Sequence, residues 1–388
     1  MSLPFSTSEI NEIRKLFPHT KNGSIYMNHA AISPLPRPVK EALDKCIEER
    51  YSGAIENFEK AMQIIDHTRQ DIAEYINAES GQITFTGNTS DAISAVASGL
   101  EWNSGDEIIL NSMEFPANVQ PFRRLESQGV KLRYVPHRDH TITTDDIRTY
   151  ITPKTKLVSV SAVQYLSGYK ADLEAIGSLC RENNLLFVVD GIQALGASPI
   201  DVKLCHVDAL GNGAHKWLMA PMGIGFLYLS EKMQSKLSPV KTRWLSVEDP
   251  WALTEFDQPW LPVSSHLETG TPNLIGIAGL GASIQLFKSI GVELIERQIL
   301  NLTGFIISKL ERIHEANIQL ITPRNNHQRM GIVSFALGKN VNHEEVLTEL
   351  KKKKITISSR ENYFRISPHF YNTDQEIDNL LDQLSTIV

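Results

Sequence analysis

Short β-prone runs alternate with helical stretches through the middle of the chain, and this alternation limits the possible folds more than any other feature. The runs cover residues 82–86, 107–112, 131–135, 156–162, 185–190 and 225–229. Strands separated by helix-length segments pair side by side through crossovers, so the pattern predicts an α/β fold with a mostly parallel central sheet flanked by helices. In one such unit, Leu173, Ile176, Leu179 and Cys180 fall on one helical face. Asn183-Asn184 then turns the chain into Leu185-Leu186-Phe187-Val188-Val189, apolar at every position, as a strand covered on both faces requires.

Beyond Pro272 the pattern changes. A helical region over 275–316 leads into a compact stretch with strands expected at 331–336 and 363–367 and a closing helix over 374–387. This divides the chain into a large domain at 24–272 and a smaller α+β C-terminal domain at 273–388, with residues 1–23 packing back on the second. A chain of 388 residues can bury two cores of this size. The 38 basic and 45 acidic side chains leave a net charge of −7 spread along the chain, which argues against nucleic acid as a partner.

Residues 1–10 lack a basic start followed by an apolar stretch, so no secretory signal is expected. The longest uncharged run, 269–287, is broken by Gly270, Pro272, Gly276, Gly279 and Gly281 and does not read as a membrane span. Cys46, Cys180 and Cys205 are far apart with no CxxC pairing, which fits a reduced, cytoplasmic protein. Without a secretory route, the glycosylation patterns at Asn88 and Asn301 read as chance matches. His137 and His140 have no further ligands nearby, so no metal is expected.

Four segments carry candidate chemistry. In Gly211-Asn212-Gly213-Ala214-His215-Lys216-Trp217, a lysine follows a glycine-rich approach and precedes a Pro/Gly turn. Such a lysine is either a surface residue in a glycine loop or a desolvated amine able to form a Schiff base. Upstream, the run ending in Asp190-Gly191-Ile192-Gln193 puts a carboxylate at the carboxyl end of a central strand. There it caps a helix or faces the crevice where α/β sheets bind ligands, as an anionic partner for a protonated pyridine nitrogen. Gly87-Asn88-Thr89-Ser90-Asp91 opens a helix as a capping box or as a phosphate site. Phe115, after the 107–112 run, is a core residue or a ring to stack on an aromatic cofactor.

Taken in order, these segments resemble the class V aminotransferase family of fold type I pyridoxal-phosphate enzymes, which includes cysteine desulfurases, kynureninase and isopenicillin N epimerase-like proteins. Tyr26-Met27-Asn28-His29-Ala30-Ala31, Glu268-Thr269-Gly270-Thr271-Pro272-Asn273 and Phe364-Arg365-Ile366-Ser367-Pro368-His369 extend the likeness over nearly the whole chain. The resemblance implies pyridoxal 5′-phosphate as cofactor, Lys216 as its Schiff-base lysine and proton carrier, and Asp190 as the acid at the pyridine nitrogen. It also implies Gln193 at the phenolic oxygen, Thr89 and Ser90 at the phosphate with His215 nearby, and Phe115 stacked on the ring. Arg365 becomes the clamp for the substrate carboxylate, and Asn28 and His29 line the substrate pocket. Thr271 reaches across a homodimer interface to the neighbour's phosphate.

Two departures from the family pattern matter. Many members carry a serine two positions before the histidine of the lysine motif, where this chain has Gly213, so Asn212 or His215 is left to substitute or phosphate is held less tightly. Cysteine desulfurases carry a nucleophilic cysteine shortly before the C-terminal arginine; residues 355–362 contain none, which disfavours persulfide transfer. The expected reaction is therefore transamination of a small amino acid. An epimerase, a C–S or β-lyase, or a non-catalytic cofactor-binding protein remain the alternatives. A nicotinamide dehydrogenase would need a GxGxxG turn between strand and helix, and neither Gly211-x-Gly213 nor Gly223-x-Gly225 supplies the third glycine.

Overall fold

The computed structural model describes residues 4–53, 55–238, 240–268, 270–312, 318–338 and 341–387. After a short strand β1 (Ile25–Tyr26) come β2 (Ile83–Thr86), β3 (Glu107–Asn111), β4 (Lys131–Val135), β5 (Thr155–Ser161), β6 (Leu186–Asp190), β7 (Ala209–Gly213) and β8 (Gly225–Leu229). The last seven form one sheet in the order β2-β8-β7-β6-β5-β3-β4. Only β8 runs against its neighbours; the ladders joining β7, β6, β5, β3 and β4 are parallel. This is the expected α/β architecture.

Side chains alternate across each strand and so feed two cores. Ile108, Leu110, Leu186, Val188 and Leu227 pack under helix Thr89–Gly99. Ile109, Val160, Phe187, Val189 and Phe226 pack under helices Leu173–Glu182 and Leu274–Ile290. Leu173–Glu182 presents Leu173, Ile176, Leu179 and Cys180 to that core, the face read from the sequence.

A third core lies in the C-terminal region. There β9 (Gln319–Leu320), β10 (Val333–Ala336), β12 (Ser358–Arg360) and β13 (Tyr363–Ile366) form an antiparallel sheet, while β11 (Ile355–Thr356) pairs in parallel with β1. Helices Val292–Leu310 and Asp374–Ile387 cover it. The helical stretch expected over 275–316 is two helices, broken where Gly291 takes φ +93°, a conformation that L side chains rarely adopt. Residues 313–317 lie outside the described residues. Arg14 bonds the Tyr371 carbonyl at 2.9 Å and Glu376 at 2.8 Å, so the N-terminal helix Thr7–Arg14 rests on the C-terminal region. No single helix among the described residues is long and apolar enough to cross a membrane.

Candidate active site

The carboxyl ends of β2, β3, β5, β6 and β7 open on the same edge of the sheet, and the segments leaving them carry most of the candidate residues. The Gly211–Gly213 approach is strand β7 rather than a loop. A Cβ at Gly211 would lie 3.0 Å from Ala92 Cβ, and one at Gly213 would lie 3.2 Å from Thr89 Oγ1. The glycines therefore let helix Thr89–Gly99 press directly on the strand, and the loop proper begins at Ala214.

Trp217 anchors that loop. Its fully buried indole donates from Nε1 to Gln193 Oε1 at 2.8 Å, and its carbonyl meets His369 Nε2 at 3.0 Å. Gly196 makes this approach possible: its φ is +98°, and a Cβ there would sit 2.3 Å from the Trp217 carbonyl oxygen. Lys216 is thus held beside a rigid neighbour, with Nζ 5.6 Å from the centre of the Phe115 ring. Phe115 itself is exposed and meets Tyr165 edge-on at 5.2 Å. Burial pulls the Lys216 amine below its ordinary value against the pull of Asp190, with Arg365 and Arg360 adding to the downward shift.

Asp190 is 2% exposed and receives one backbone hydrogen bond, from Ile192 N–H at 3.0 Å. Burial and the nearby Glu114 push its carboxyl well up, while Ile192 and Lys216 pull it down. Gln193 donates from Nε2 to the Ala30 carbonyl at 3.0 Å, which leaves its second amide hydrogen for a ligand. At the other end of the site, Asn88 Oδ1 caps helix Thr89–Gly99 by accepting from Asp91 N–H at 3.0 Å. Thr89 Oγ1 accepts from Gly213 N–H at 2.9 Å, so its own hydroxyl hydrogen points elsewhere. Ser90 is exposed on the first turn, where helix N–H groups favour an anion. His215 is half-buried, and burial together with Lys216 lowers its affinity for a proton.

Arg365 is 2% exposed, yet among the described residues it pairs with no acid. Its Nη1 donates to the Tyr165 carbonyl at 2.8 Å and its Nε to Ser358 Oγ at 3.2 Å. Burial, with help from Arg360, lowers its guanidinium to about 10. A guanidinium so placed awaits an anion.

Asn28 bridges to Ser367 and keeps a buried Oδ1 without a partner. His29 is fully buried, with Nδ1 on the Ser367 carbonyl at 2.8 Å and Nε2 on the Tyr371 hydroxyl at 2.9 Å. Thr271 does not join this cluster within one chain. It is exposed on a loop beside an apolar groove of about 870 Å³ that Ile47, Tyr51, Ile55, Phe58 and Ile275 help to line.

Glu114 was not singled out by motif. It is buried and accepts from five donors: Ser161 N–H at 2.8 Å, Asn118 Nδ2 at 3.1 Å, Gln164 Nε2 at 3.2 Å, Asn111 Nδ2 and the Ser161 hydroxyl. Its place beside Phe115 was the only local hint; Ser161 and Gln164 lie far along the chain. No group of three or more metal-ligating side chains occurs among the described residues.

The donor set fits the group that the resemblance implies. A desolvated lysine, a carboxylate with one hydrogen bond, a buried Asn212 amide with neither Nδ2 nor Oδ1 satisfied, and a helix start with free N–H groups suit an aldehyde-bearing, phosphorylated pyridine.

Comparison with known proteins agrees. The "Aminotransferase class-V" family model matches residues 25–380. A "Probable cysteine desulfurase" of Pyrococcus abyssi is 31% identical, the alignment covering 97% of each chain. An "Uncharacterized aminotransferase YcbU" of Bacillus subtilis is 29% identical over 96% of this chain and 97% of its own. The solved complex of the cystine C-S lyase C-DES with its product, cysteine persulfide, superposes with a TM-score of 0.86 at 25% identity, covering 95% of this chain and 99% of that one. The chain is therefore a member of the class V aminotransferase family.

Proposed function

We propose that the protein is a pyridoxal-phosphate enzyme that acts at the Cα of a small amino acid and expels a sulfur group from its Cβ. The observation that carries this reading is the buried Lys216–Asp190 pair, set within reach of an Arg365 guanidinium that has no acid partner. Pyridoxal 5′-phosphate, when bound, supplies an aldehyde to hold the amino group and a ring to take up the electrons left at Cα.

The chain's own residues do the rest. Lys216 would hold the cofactor, then take the Cα proton as a general base at an amine that burial lowers to about 8, within reach of the neutral form a base requires. Asp190 would hold a proton at the ring nitrogen. Gln193 and the start of helix Thr89–Gly99, with Thr89, Ser90 and His215, would seat the phenolic oxygen and the phosphate, and Phe115 would face the ring. Arg365 would bind the substrate carboxylate through its free edge and so fix which Cα bond stands perpendicular to the ring. Asn28 would line the same pocket.

Two lines of support favour sulfur elimination without a protein-bound persulfide. Relatives include proteins named for cysteine desulfurase and cystine C-S lyase activity. The three cysteines of this chain suit no carrier role: Cys180 is buried in a core helix with its thiol pushed up to about 12, Cys205 is raised to about 11, and Cys46 lies on helix Arg37–Ser52 with its thiol also raised. Transamination is the second reading, supported by the likeness to the Bacillus subtilis aminotransferase.

The working form in this proposal is a cytoplasmic homodimer. Thr271 meets the neighbour's phosphate, and the apolar groove around Tyr51, Ile55 and Phe58 closes against the second copy. Incubation of the loaded protein with single amino acids tests the reaction. Pyruvate and ammonia in equal amounts, with sulfide from cysteine or cysteine persulfide from cystine, are expected. Accumulation of the pyridoxamine form would favour transamination, and an unchanged cofactor spectrum with every amino acid would overturn the enzyme reading.

A further inference from the structure

We propose that Glu114 is a positioning residue of this site: its buried carboxylate keeps a fixed negative charge beside Asp190 and so decides which of the two acids carries a proton. The inference rests on reading Lys216 and Asp190 as the cofactor site.

The five donors around Glu114 are divided between its oxygens. Oε1 takes Asn111 Nδ2, Ser161 N–H and Gln164 Nε2; Oε2 takes Asn118 Nδ2 and the Ser161 hydroxyl. Four of these groups can only donate. An acid hydrogen on Oε1 would point into three donors, and one on Oε2 would require the Ser161 hydroxyl to reverse. The cage is built for a carboxylate, and its donors offset part of the burial that still leaves Glu114 above its ordinary value.

Asp190, by contrast, has the single bond from Ile192. Strands β5 and β6 pair Ser161 with Asp190, so their side chains share one face at one strand spacing. Glu114 grips Ser161 by both backbone and hydroxyl, which puts its charge roughly 5–8 Å from Asp190. The charged groups that act on Asp190 are Glu114, from the segment after β3, and Lys216, from the loop after β7; Arg365 and Arg360 of the β12–β13 hairpin act in turn on Lys216.

Two buried carboxylates this close do not both ionise readily. The one with five donors keeps the charge, and Asp190 is the one that takes up a proton, since burial and Glu114 outweigh the opposing pull of the Lys216 amine. That proton is the one Asp190 would hold toward a ring nitrogen bound at this site. The standing charge of Glu114 would add to the negative potential that favours a positive charge there. Glu114 would thus set the protonation with which Asp190 meets the cofactor.

Infrared difference spectroscopy of the cofactor-free protein across pH tests this. The carboxylic acid band lost in Asp190→Asn should titrate well above the ordinary aspartate value in the wild type. A unit charge at this separation, at an effective dielectric of about 20, moves a titration by about 1.5–2.4 pH units, so Glu114→Gln should lower the midpoint by that much. Glu114→Asp, which keeps the charge, should stay closer to wild type. Ser161→Ala, which removes one donor without touching either acid, should move the midpoint down by a smaller amount and serves if Glu114→Gln does not fold.

An unchanged midpoint in Glu114→Gln, or in Ser161→Ala where that variant stands in for it, would overturn the proposal. So would an acid band that vanishes with Glu114 rather than with Asp190. Cofactor binding and turnover unaffected by Asp190→Asn would instead refute the underlying site reading, whatever the band does.

Discussion

Replacing Glu268 by Gln should cost the protein several degrees of thermal stability and loosen the loop that carries Thr271. Glu268 ends the buried approach to that loop and ties together three segments. It accepts from Arg69 Nη1 at 2.6 Å and from Phe85 N–H of β2 at 3.0 Å, and it forms an ion pair with Arg243 Nη2 at 3.1 Å. Side-chain exposures are 17% for Arg69, 9% for Arg243 and 7% for Glu268, so the change leaves two guanidiniums uncompensated in a largely dry setting.

Breaking one partner out of such a buried cluster costs about 3–5 kcal/mol. With an unfolding entropy near 2.1 cal/mol/K per residue, a chain of 388 residues loses roughly 0.8 kcal/mol per degree, so Tm should fall by about 4–6 °C. Glu12, whose pair with Lys15 is exposed on both sides, is the control: Glu12→Gln should move Tm by less than about 1 °C. Scanning calorimetry of both variants, with a cofactor titration alongside, checks the reasoning. A Glu268→Gln protein that melts within a degree of wild type and loads cofactor normally would refute it.

Arg365→Ala should lower kcat/KM about 10- to 150-fold, the value of a charge-assisted bond of 1.5–3 kcal/mol, while Arg365→Lys should recover only part of the loss because it lacks the fork. A fall in cofactor affinity with kcat/KM preserved would place the arginine elsewhere. Burial holds His29 down to about 3, against 6.5 in the unfolded chain, so the unfolded state binds a proton below 6.5 while the folded state does not. Stability is therefore full above 6.5 and is lost as pH falls from there toward 3. Between pH 7 and 5.5 this residue alone contributes a loss of about 1.2 kcal/mol, and His29→Asn should show a denaturation slope against pH shallower by that amount. Parallel slopes would contradict a neutral, buried His29.

The sheet was readable because its strands are covered on both faces. Leu186 to Val189 can sit nowhere but in a central strand, and its helical neighbour Leu173–Glu182 shows its packed face in residue spacing alone. Strand β7 escaped notice because Gly211 and Gly213 have no β-preference of their own. What makes them strand residues is the helix at Ala92 and Ile93 pressed against them, a contact more than a hundred residues away in sequence.

The same distinction runs through the site. Asp190 and Lys216 announce themselves by standing at strand ends among glycines. Glu114 and Glu268 look like ordinary surface acids until Ser161, Gln164, Arg69 and Arg243 are brought to them by the fold. Polar groups whose partners are distant in sequence leave no local pattern.

Borohydride reduction of the protein loaded with pyridoxal phosphate, followed by digestion and mass analysis, tests the central claim most directly. The account predicts the cofactor mass on the peptide that contains Lys216, and its loss in Lys216→Ala. Attachment to a different lysine, or label retained in that variant, would contradict it.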